Sequence, residues 1–509
     1  MTAVSGAVPP GRQCIPSEWP AFWLMSVTAM RRAACVPAGW QAPASCRGLI
    51  NRQLSGTGGQ PVTDDGAGSH SPLGHTRDVA VPVVVIGAGV VGCSVAFAAS
   101  RAGLQVTLIE AASGPGQGST SASSAIVRMH YSTFEGVALA WEAKQTWEQW
   151  GEHLGHVDPA GMARYVSTGA LVLDSPAFDS APVLALYDQL GIPYERLSPA
   201  QLRDRFSYLS ADRFYPPRLP DDPQFWEDPV GELGGFYTPD GGFVDDPPLA
   251  THNLWAAASA LGAESVFGRT VVSVNRDANG VCGVTLNDGR SIAARVVVNA
   301  AGPYSAAVNR MAGVGADFGV TTRPLRQEVH VLDGPPELAG KLGPTVSDAD
   351  LGAYFRFLPG GQLLVGSMEP DCDPLDWLDD PQRLDERASV AVYERQSLRL
   401  ARRFPSVQVP TRPRGLAALY DVTDDWIPIY DGTDLPGFFV AIGTSGNQFK
   451  NAPVIGLLML ALIKNWLDGG DHDTRPVQWV APRTGSVLNL AHYSRRRTPN
   501  PGSSHSGLG

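Results

Sequence analysis

Short apolar runs separated by glycine-rich turns characterise the chain from about residue 79 onward. Residues 81–86 are almost continuously apolar, as a strand buried on both faces requires. Small and apolar residues over 90–102 predict a helix packed on a sheet, and residues 105–110 predict a second buried strand. Because strand, helix and strand follow in that order, this segment predicts a parallel sheet.

The same pattern returns later in the chain. Further elements of this kind are predicted as a helix over 247–261, strands over 269–274, 280–286, 295–299 and 438–442, and a helix over 453–467.

Two stretches, 165–235 and 321–413, show a different pattern, in which short strands alternate with amphipathic helices. We interpret them as a second, mainly antiparallel domain that binds substrate and is inserted into the first. The first domain is then discontinuous and covers 79–164, 236–320 and 414–490. The predicted fold class is α/β with an inserted α+β domain.

The two ends of the chain lack this periodicity. Residues 1–78 are rich in Gly, Pro, Ser and Ala, which predicts a disordered extension. Five arginines and one acidic residue stand between positions 1 and 62, so a cleaved targeting segment remains an alternative. Residues 491–509 are predicted to form a disordered tail.

Composition narrows the class of protein. The 509-residue chain has a net charge of -11, which disfavours a nucleic-acid partner. Its six cysteines form no Cys-x-x-Cys or zinc pattern, which favours a reducing, cytoplasmic location and no metal. The acidic residues Asp371, Asp373, Asp379 and Asp380 lack a calcium-loop glycine and predict a solvated loop. No apolar run is long enough to predict a membrane span.

The turn after the first strand carries three regularly spaced glycines, Gly87, Gly89 and Gly92. They allow a tight turn, close approach of a pyrophosphate to the backbone, and close packing of helix on strand. Glu110 ends the next strand, where its carboxylate can accept both ribose hydroxyls of an adenosine and would repel the 2′-phosphate of NADP. The pattern predicts a dinucleotide site and leaves NAD and FAD open.

Several later segments carry a more specific signal. They are Gly118-Ser119-Thr120-Ser121-Ala122-Ser123-Ser124-Ala125-Ile126-Val127-Arg128, Val297-Val298-Asn299-Ala300-Ala301-Gly302-Pro303, Tyr354-Phe355-Arg356 with Leu363-Leu364-Val365-Gly366, Gly415-Leu416 through Asp421 to Asp425, and Gly443-Thr444-Ser445-Gly446-Asn447-Gln448-Phe449-Lys450.

In this order, and over about residues 83–467, these segments resemble the D-amino-acid-oxidase-like superfamily, which includes sarcosine oxidase, glycine oxidase and dimethylglycine dehydrogenase. The resemblance implies a Rossmann-like FAD-binding domain and FAD as cofactor. The flavin contacts that it implies are Gly87, Ala88, Gly89, Val91, Gly92, Glu110, Ser119, Thr120, Ser121, Ser124, Ala125, Val271, Ala301, Gly302, Gly443, Ser445, Gly446, Asn447, Gln448 and Lys450.

The resemblance also implies a substrate site. Arg128 and Lys450 stand where relatives clamp a substrate carboxylate, and Tyr131 and Tyr354 are candidates to line the pocket. The implied reaction oxidises the C–N bond of an amino acid or N-alkyl amino acid, such as sarcosine, glycine, a D-amino acid or a proline-like substrate. Hydride passes to the flavin and the imine is hydrolysed. No catalytic base is assigned, because His130 and the other isolated histidines are interpreted as structural.

Two departures from the family pattern change what we expect of flavin attachment and of the reaction with oxygen. Ala122 and Ala418 replace the histidine and cysteine that tie flavin to the protein in some members, so FAD is predicted to be non-covalent. Leu364 and Met368 replace residues associated with fast reaction with oxygen. A dehydrogenase that uses another acceptor, such as an electron-acceptor protein, is therefore favoured over an oxidase.

Two other functions remain open. The chain is alternatively a flavoprotein with a structural or assembly role and no amine turnover. It is alternatively another superfamily enzyme, such as a polyol-phosphate dehydrogenase, because the two cations of Arg128 and Lys450 suit phosphate as well as carboxylate.

Overall fold

The computed structural model describes residues 81–504 and residue 506. The predictions for residues 1–78 lie outside the described residues. The helices are α1 Val90–Arg101, α2 Phe134–Glu148, α3 Trp150–Leu154, α4 Ala181–Leu190, α5 Pro199–Arg205, α6 Pro247–Ala260, α7 Ser305–Ala312, α8 Val390–Arg403 and α9 Ala452–Leu467.

The strands are β1 Pro82–Ile86, β2 Gln105–Glu110, β3 Ile126–Val127, β4 Tyr165–Ser167, β5 Ala170–Leu173, β6 Glu195–Leu197, β7 Gly235–Thr238, β8 Gly242–Val244, β9 Glu264–Phe267, β10 Val271–Asp277, β11 Gly280–Leu286, β12 Ser291–Ala293, β13 Val296–Asn299, β14 Thr322–Asp333, β15 Thr345–Asp348, β16 Ala353–Leu358, β17 Gln362–Ser367, β18 Asp376–Trp377, β19 Gly415–Thr423, β20 Ile429–Gly432, β21 Phe438–Ile442, β22 Gln478–Val480 and β23 Val487–Asn489.

The first domain is built on a six-stranded sheet in the order β20-β21-β13-β1-β2-β9. All neighbours pair in parallel except β20 and β21. Helices α1, α6 and α9 pack into one apolar core on one side of this sheet. A small antiparallel sheet of β10, β11 and β12 shares a second core with the other side. Apolar side chains on both faces of β1 and β13 are needed because both faces are covered.

The second domain is a larger, mainly antiparallel sheet in the order β18-β14-β17-β16-β15-β5-β7-β6, with β19 also paired to β14. Only β5 and β15 pair in parallel within it. Helix α8 packs against one face through Tyr393, Leu400 and Phe404. The predicted α/β class with a parallel and an antiparallel sheet is confirmed.

The predicted domain boundaries are wrong at two strands. β19 was assigned to the first domain with residues 414–490, but it pairs with β14 from Thr322↔Thr423 to His330↔Gly415. β7, which spans the predicted boundary at 236, pairs with β5 and β6 in the second sheet. Each of these strands belongs to the second sheet but is directly continued by a segment of the first domain. The order of the elements along the sequence therefore did not show with which sheet they pair.

The tail predicted to be disordered is folded over the described residues 491–504. Arg495 is buried and forms ion pairs with Asp317, Asp431 and Asp473. Arg497 pairs with the buried carboxylate of Asp425 over 2.8 Å. The prediction was wrong because these ion pairs, together with burial of Tyr493 in the apolar core, hold the segment against the fold.

The acidic loop after β17 also differs from its prediction. Asp373 is buried and pairs with Arg399 over 2.7 Å and with Arg395 over 3.1 Å, so it is not solvated. Within the described part of the chain, no group of three or more His, Cys, Asp or Glu side chains could hold a metal ion. None of the described helices is both long and apolar enough to cross a membrane.

Candidate active site

The glycine turn between β1 and α1 is closely packed. Gly87 has φ +103°, and a Cβ placed on it would lie 2.4 Å from the carbonyl oxygen of Ala300. A Cβ on Gly92 would lie 1.8 Å from the carbonyl oxygen of Gly87. These two positions require glycine, because any side chain would push α1 away from the strands.

The remaining glycine of the turn, Gly89, faces open space. A Cβ placed there would meet only Thr120 Oγ1, at 3.4 Å. The first turn of α1 contains no acidic residue, and Val90 N donates to Thr120 Oγ1 over 3.1 Å. Free N–H groups, the positive end of the helix dipole and the missing side chain together fit the pyrophosphate of a dinucleotide such as FAD.

Glu110 is held rigidly beside this turn. Its Oε2 accepts the N–H of Ala88 over 2.7 Å, and its Oε1 accepts the N–H of Ala112 over 2.8 Å. Each carboxylate oxygen keeps a second lone pair, so both can still accept a ribose hydroxyl. The geometry therefore suits the role that the sequence assigns to this residue.

The other predicted flavin contacts lie on the segment before β3, at the end of β13 and on strand β10. Ser119, Thr120 and Ser121 form a 3₁₀ turn, Ser119–Ala122, that packs against α6 and β19. Ala125 follows with φ +49°. Ala301 N donates to Asn299 Oδ1 over 3.1 Å at the end of β13. The side chain of Val271 packs in the core between the parallel sheet and the β10–β12 sheet, together with Ile109.

The turn over 443–450 is fixed by one buried carboxylate. Asp421 Oδ2 accepts the N–H of Gly443 over 2.6 Å, and its backbone oxygen accepts the N–H of Ser445 over 2.7 Å. Burial raises the pKa of Asp421 to about 7. Gly446 has φ +67° and lies against the ring of Tyr420, where a Cβ would come within 2.2 Å of Cε2. The side chain of Gln448 accepts a hydrogen bond from Tyr430 Oη over 3.1 Å.

The structure brings the two predicted substrate cations together around one aromatic ring. The guanidinium of Arg128 lies 5.0 Å from the ring centre of Tyr131, and Lys450 Nζ lies 4.9 Å from the same ring. Lys450 Nζ also donates to Tyr131 Oη over 2.7 Å and to the carbonyl oxygen of Asn447 over 2.6 Å. Both cations are buried, with relative exposures of 7% for Arg128 and 4% for Lys450.

The electrostatic environment of Arg128 and Lys450 favours binding of an anion. Burial and the neighbouring Arg128 hold the pKa of Lys450 well below its usual range. Burial also lowers the pKa of Arg128. A carboxylate placed between them would offset the repulsion and restore the charge of Lys450.

Nearby, the predicted pocket residue Tyr354 lies on the face of the second sheet that points away from α8. Strand pairing places Leu364, Ala418 and Tyr420 on this same face, because side chains alternate along a strand. Tyr354 Oη hydrogen-bonds Ser124 Oγ over 2.8 Å, which links this face to the segment that precedes Arg128. Tyr420 is not among the residues predicted from the sequence, because the register of β19 against β14 is what places it on this face.

The histidines that the sequence predicts to be structural make hydrogen bonds or ion pairs within the fold. His130 is buried next to Ser347 Oγ, 3.2 Å from Nε2, and burial, Arg128 and Lys450 hold its pKa well below the usual range. His252 on α6 pairs with Asp158 over 2.6 Å. A neutral, hydrogen-bonded His130 helps to position the loop that bears Arg128.

The fold and the glycine turn define a dinucleotide-binding protein in which two buried cations, Arg128 and Lys450, lie close to the ring of Tyr131. Residues 82–462 match the family described as DAO, FAD dependent oxidoreductase, and the chain belongs to this family. The resemblance inferred from sequence, and FAD as the cofactor, are thereby confirmed.

Individual relatives are more distant. The chain is 31% identical over 190 residues to the tRNA 5-methylaminomethyl-2-thiouridine biosynthesis bifunctional protein MnmC of Azoarcus sp., covering 35% of this chain but only 26% of that protein. It is 26% identical over 388 residues to a glycerol 3-phosphate dehydrogenase of Caloramator mitchellensis, covering 75% and 74% of the two chains. It is 25% identical over 401 residues to an N-methyl-L-tryptophan oxidase of Salmonella arizonae, covering 74% and 92%.

Solved structures agree on the fold. L-proline dehydrogenase from P. horikoshii superposes with a TM-score of 0.63 at 20% identity, covering 82% of this chain and 97% of that one. Glycine oxidase from Geobacillus kaustophilus gives a TM-score of 0.62 at 20% identity, covering 82% and 99%. At this identity the likeness establishes the architecture of the chain and not its substrate.

Proposed function

We propose that this FAD-dependent oxidoreductase oxidises the C–N bond of an amino acid or N-alkyl amino acid. The observation that carries the proposal is that Arg128 and Lys450 are both buried and both lie within 5.0 Å of the ring centre of Tyr131. Arginine offers a bidentate fork and lysine a point charge, which together suit a carboxylate. The sequence relative named as an N-methyl-L-tryptophan oxidase supports the substrate class.

Bound FAD supplies the hydride acceptor for this chemistry. The residues Gly87, Gly89, Gly92 and Glu110 would hold its nucleotide end, and the turn over 443–450 would face its other end. The substrate loses a hydride from the carbon next to nitrogen and becomes an iminium ion, which releases a proton to give the imine, and water hydrolyses the imine to a carbonyl product and an amine.

The protein's own part is to bind, orient and polarise the substrate. Arg128 and Lys450 fix the carboxylate, and Tyr131 and Tyr354 border the space next to it. The two cations also disfavour a protonated amine close to the carboxylate, so the neutral amine that donates a hydride is the form that the pocket favours. No separate general base is required for that step.

The experiment is an anaerobic screen in which the flavin spectrum reports reduction. Glycine, sarcosine, proline, N-methyl amino acids and D-amino acids are added to the FAD-loaded protein. Bleaching by one of these classes supports the proposal. Bleaching by none of them overturns it, and stable co-purification with a large partner would then favour a structural or assembly role.

One relative favours a second candidate function. The match to a glycerol 3-phosphate dehydrogenase extends over 75% of this chain, and two buried cations also suit a phosphate. Glycerol 3-phosphate belongs in the same screen for this reason. Bleaching by glycerol 3-phosphate and not by amino acids would favour a polyol-phosphate dehydrogenase.

We also propose that the enzyme is a dehydrogenase with a separate electron acceptor. Leu364 and Met368 are buried apolar side chains. The resemblance places them at positions where relatives carry residues that promote reaction of the flavin with oxygen. Stopped-flow mixing of reduced protein with air-saturated buffer tests this proposal. Reoxidation as fast as turnover would identify an oxidase instead.

Non-covalent binding of FAD completes the proposal. Neither Ala122 nor Ala418 has a side chain that can bond to flavin. After denaturation and precipitation of the protein, the yellow colour should remain in the supernatant. Colour that stays with the precipitated chain would contradict this.

A further inference from the structure

Glu369 brings an acidic side chain to the same face of the second sheet as Tyr354. It follows β17 and adopts φ +52°, which is unusual for a residue with a side chain. Its Oε1 accepts a hydrogen bond from Gln327 Nε2 over 2.9 Å. Gln327 is paired with Ala418, and so it lies on the face that carries Tyr420.

The charge of Glu369 reaches the tyrosines of the pocket. Burial raises the pKa of Tyr354, and the Glu369 carboxylate adds to that increase. The pKa of Tyr420 is well above its usual range because of burial, then Tyr354 and Glu369, while Arg128 acts in the opposite direction. Tyr420 therefore lies within electrostatic reach of a cation and of an anion.

A carboxylate in this position would not assist oxidation at the reacting nitrogen. Hydride loss requires the neutral amine, and a nearby negative charge would stabilise the ammonium form instead. A carboxylate does favour a positive group elsewhere on the substrate, where that group keeps its proton throughout the reaction.

We propose that Glu369 is a specificity-determining residue that selects substrates carrying a second, cationic nitrogen in addition to the carboxylate. This inference rests on the proposed function, because it assumes that Arg128 and Lys450 bind the carboxylate. The substrate class is then an amino acid with a basic side chain or a second amine. Its carboxylate contacts the cation pair, and its remote cation contacts Glu369.

The test uses acids that cannot be oxidised next to their carboxylate. 4-Aminobutyrate, 5-aminovalerate and 6-aminohexanoate are each compared with the straight-chain acid that lacks the amino group, by calorimetric titration of the FAD-loaded protein. At least one amino acid of the series should bind about tenfold more tightly than the matched acid that lacks the amino group. Flavin reduction by α-amino acids is followed on the same preparation, so failure of the proposed reaction is seen separately from failure of this charge preference.

Two variants assign the preference to Glu369. Glu369→Gln keeps the shape of the side chain and should reduce the ratio of the two affinities to about one. Asp371→Asn removes an exposed carboxylate two residues away and should leave the ratio unchanged. Equal binding within every pair by the wild-type protein overturns the proposal, even if the Glu369→Gln variant does not fold. An unchanged preference in a folded Glu369→Gln variant also overturns it.

Discussion

Lys450 Nζ donates a hydrogen bond to Tyr131 Oη over 2.7 Å, although the two residues are 319 positions apart in the chain. Tyr131 Oη in turn donates to the carbonyl oxygen of Asn447 over 2.7 Å. Trp147 Nε1 on α2 donates to the carbonyl oxygen of Lys450 itself, also over 2.7 Å. The cationic end of the pocket is therefore assembled from both ends of the folded region, and its geometry depends on the complete fold.

Arg128 is expected to contribute to substrate binding more than to folding. In Arg128→Ala, the KM for carboxylate substrates should rise at least about tenfold, because a hydrogen-bonded charge contributes about 1.5–3 kcal/mol. Steady-state kinetics across substrate concentrations measures this. Arg164→Ala, which removes a 79% exposed arginine, is the matched control and should leave KM unchanged. An unchanged KM in Arg128→Ala would exclude Arg128 from carboxylate binding.

Substitutions at two glycines of the turn should affect the affinity for FAD and the stability of the fold separately. Gly89→Ala adds a methyl group that contacts only Thr120, so the apoprotein should unfold like wild type while its FAD dissociation constant rises about tenfold or more. Gly92→Ala must displace a backbone carbonyl and should lower stability by about 1–3 kcal/mol. Chemical unfolding and flavin fluorescence titration measure the two effects. If the Gly89→Ala variant bound FAD as tightly as wild type, the placement of the pyrophosphate next to Gly89 would be contradicted.

The adjacent residues Arg495 and Arg496 of the C-terminal segment should contribute differently to the free energy of unfolding. Arg495→Ala leaves the fully buried carboxylate of Asp431 without its cation, which should cost about 3–5 kcal/mol in free energy of unfolding. Arg496 also pairs with Asp317 and Asp473, but its side chain is 50% exposed. Arg496→Ala should therefore cost less than about 1 kcal/mol. Urea unfolding compares the two, and equal losses would show that the segment does not stabilise the fold through Arg495.

Asp421 should make stability depend on pH. Its folded pKa of about 7 lies above the value of about 3.9 expected in the unfolded chain. The protonated form is therefore favoured in the folded state, and its contribution to stability is lost as the pH rises from about 4 through 7. Asp421→Asn should be more stable than wild type at pH 8 and nearly equal to it at the acidic end of this range.

The control for this pH effect is the exposed neighbour Asp424. Unfolding curves of Asp424→Asn should follow wild type across the same pH range. If Asp421→Asn keeps the pH dependence of the wild type between pH 5 and 8, another group is responsible for it.

The local sequence pattern was sufficient to predict those helices and strands whose formation depends on their own residues. The apolar runs of β1, β2 and β13 and the glycines between β1 and α1 predicted the parallel sheet. Pairing partners depend on distant segments, so the position of β19 beside β14 could not be read from its own residues. The same limitation applies to the site. Arg128 and Lys450 followed from the resemblance, whereas Tyr420 and Glu369 became candidates only once the register of the antiparallel sheet was known.

The contact between Asp431 and Arg495 has a consequence for synthesis of the protein. Strand β20 places Asp431 in the interior of the first domain, but its counter-charge is 64 residues further along the chain. A nascent chain that has produced the whole parallel sheet still contains an acid with no cation to neutralise it there. We therefore expect the domain to complete its folding only after this downstream arginine has left the ribosome, and to be exposed to chaperones and proteases until then.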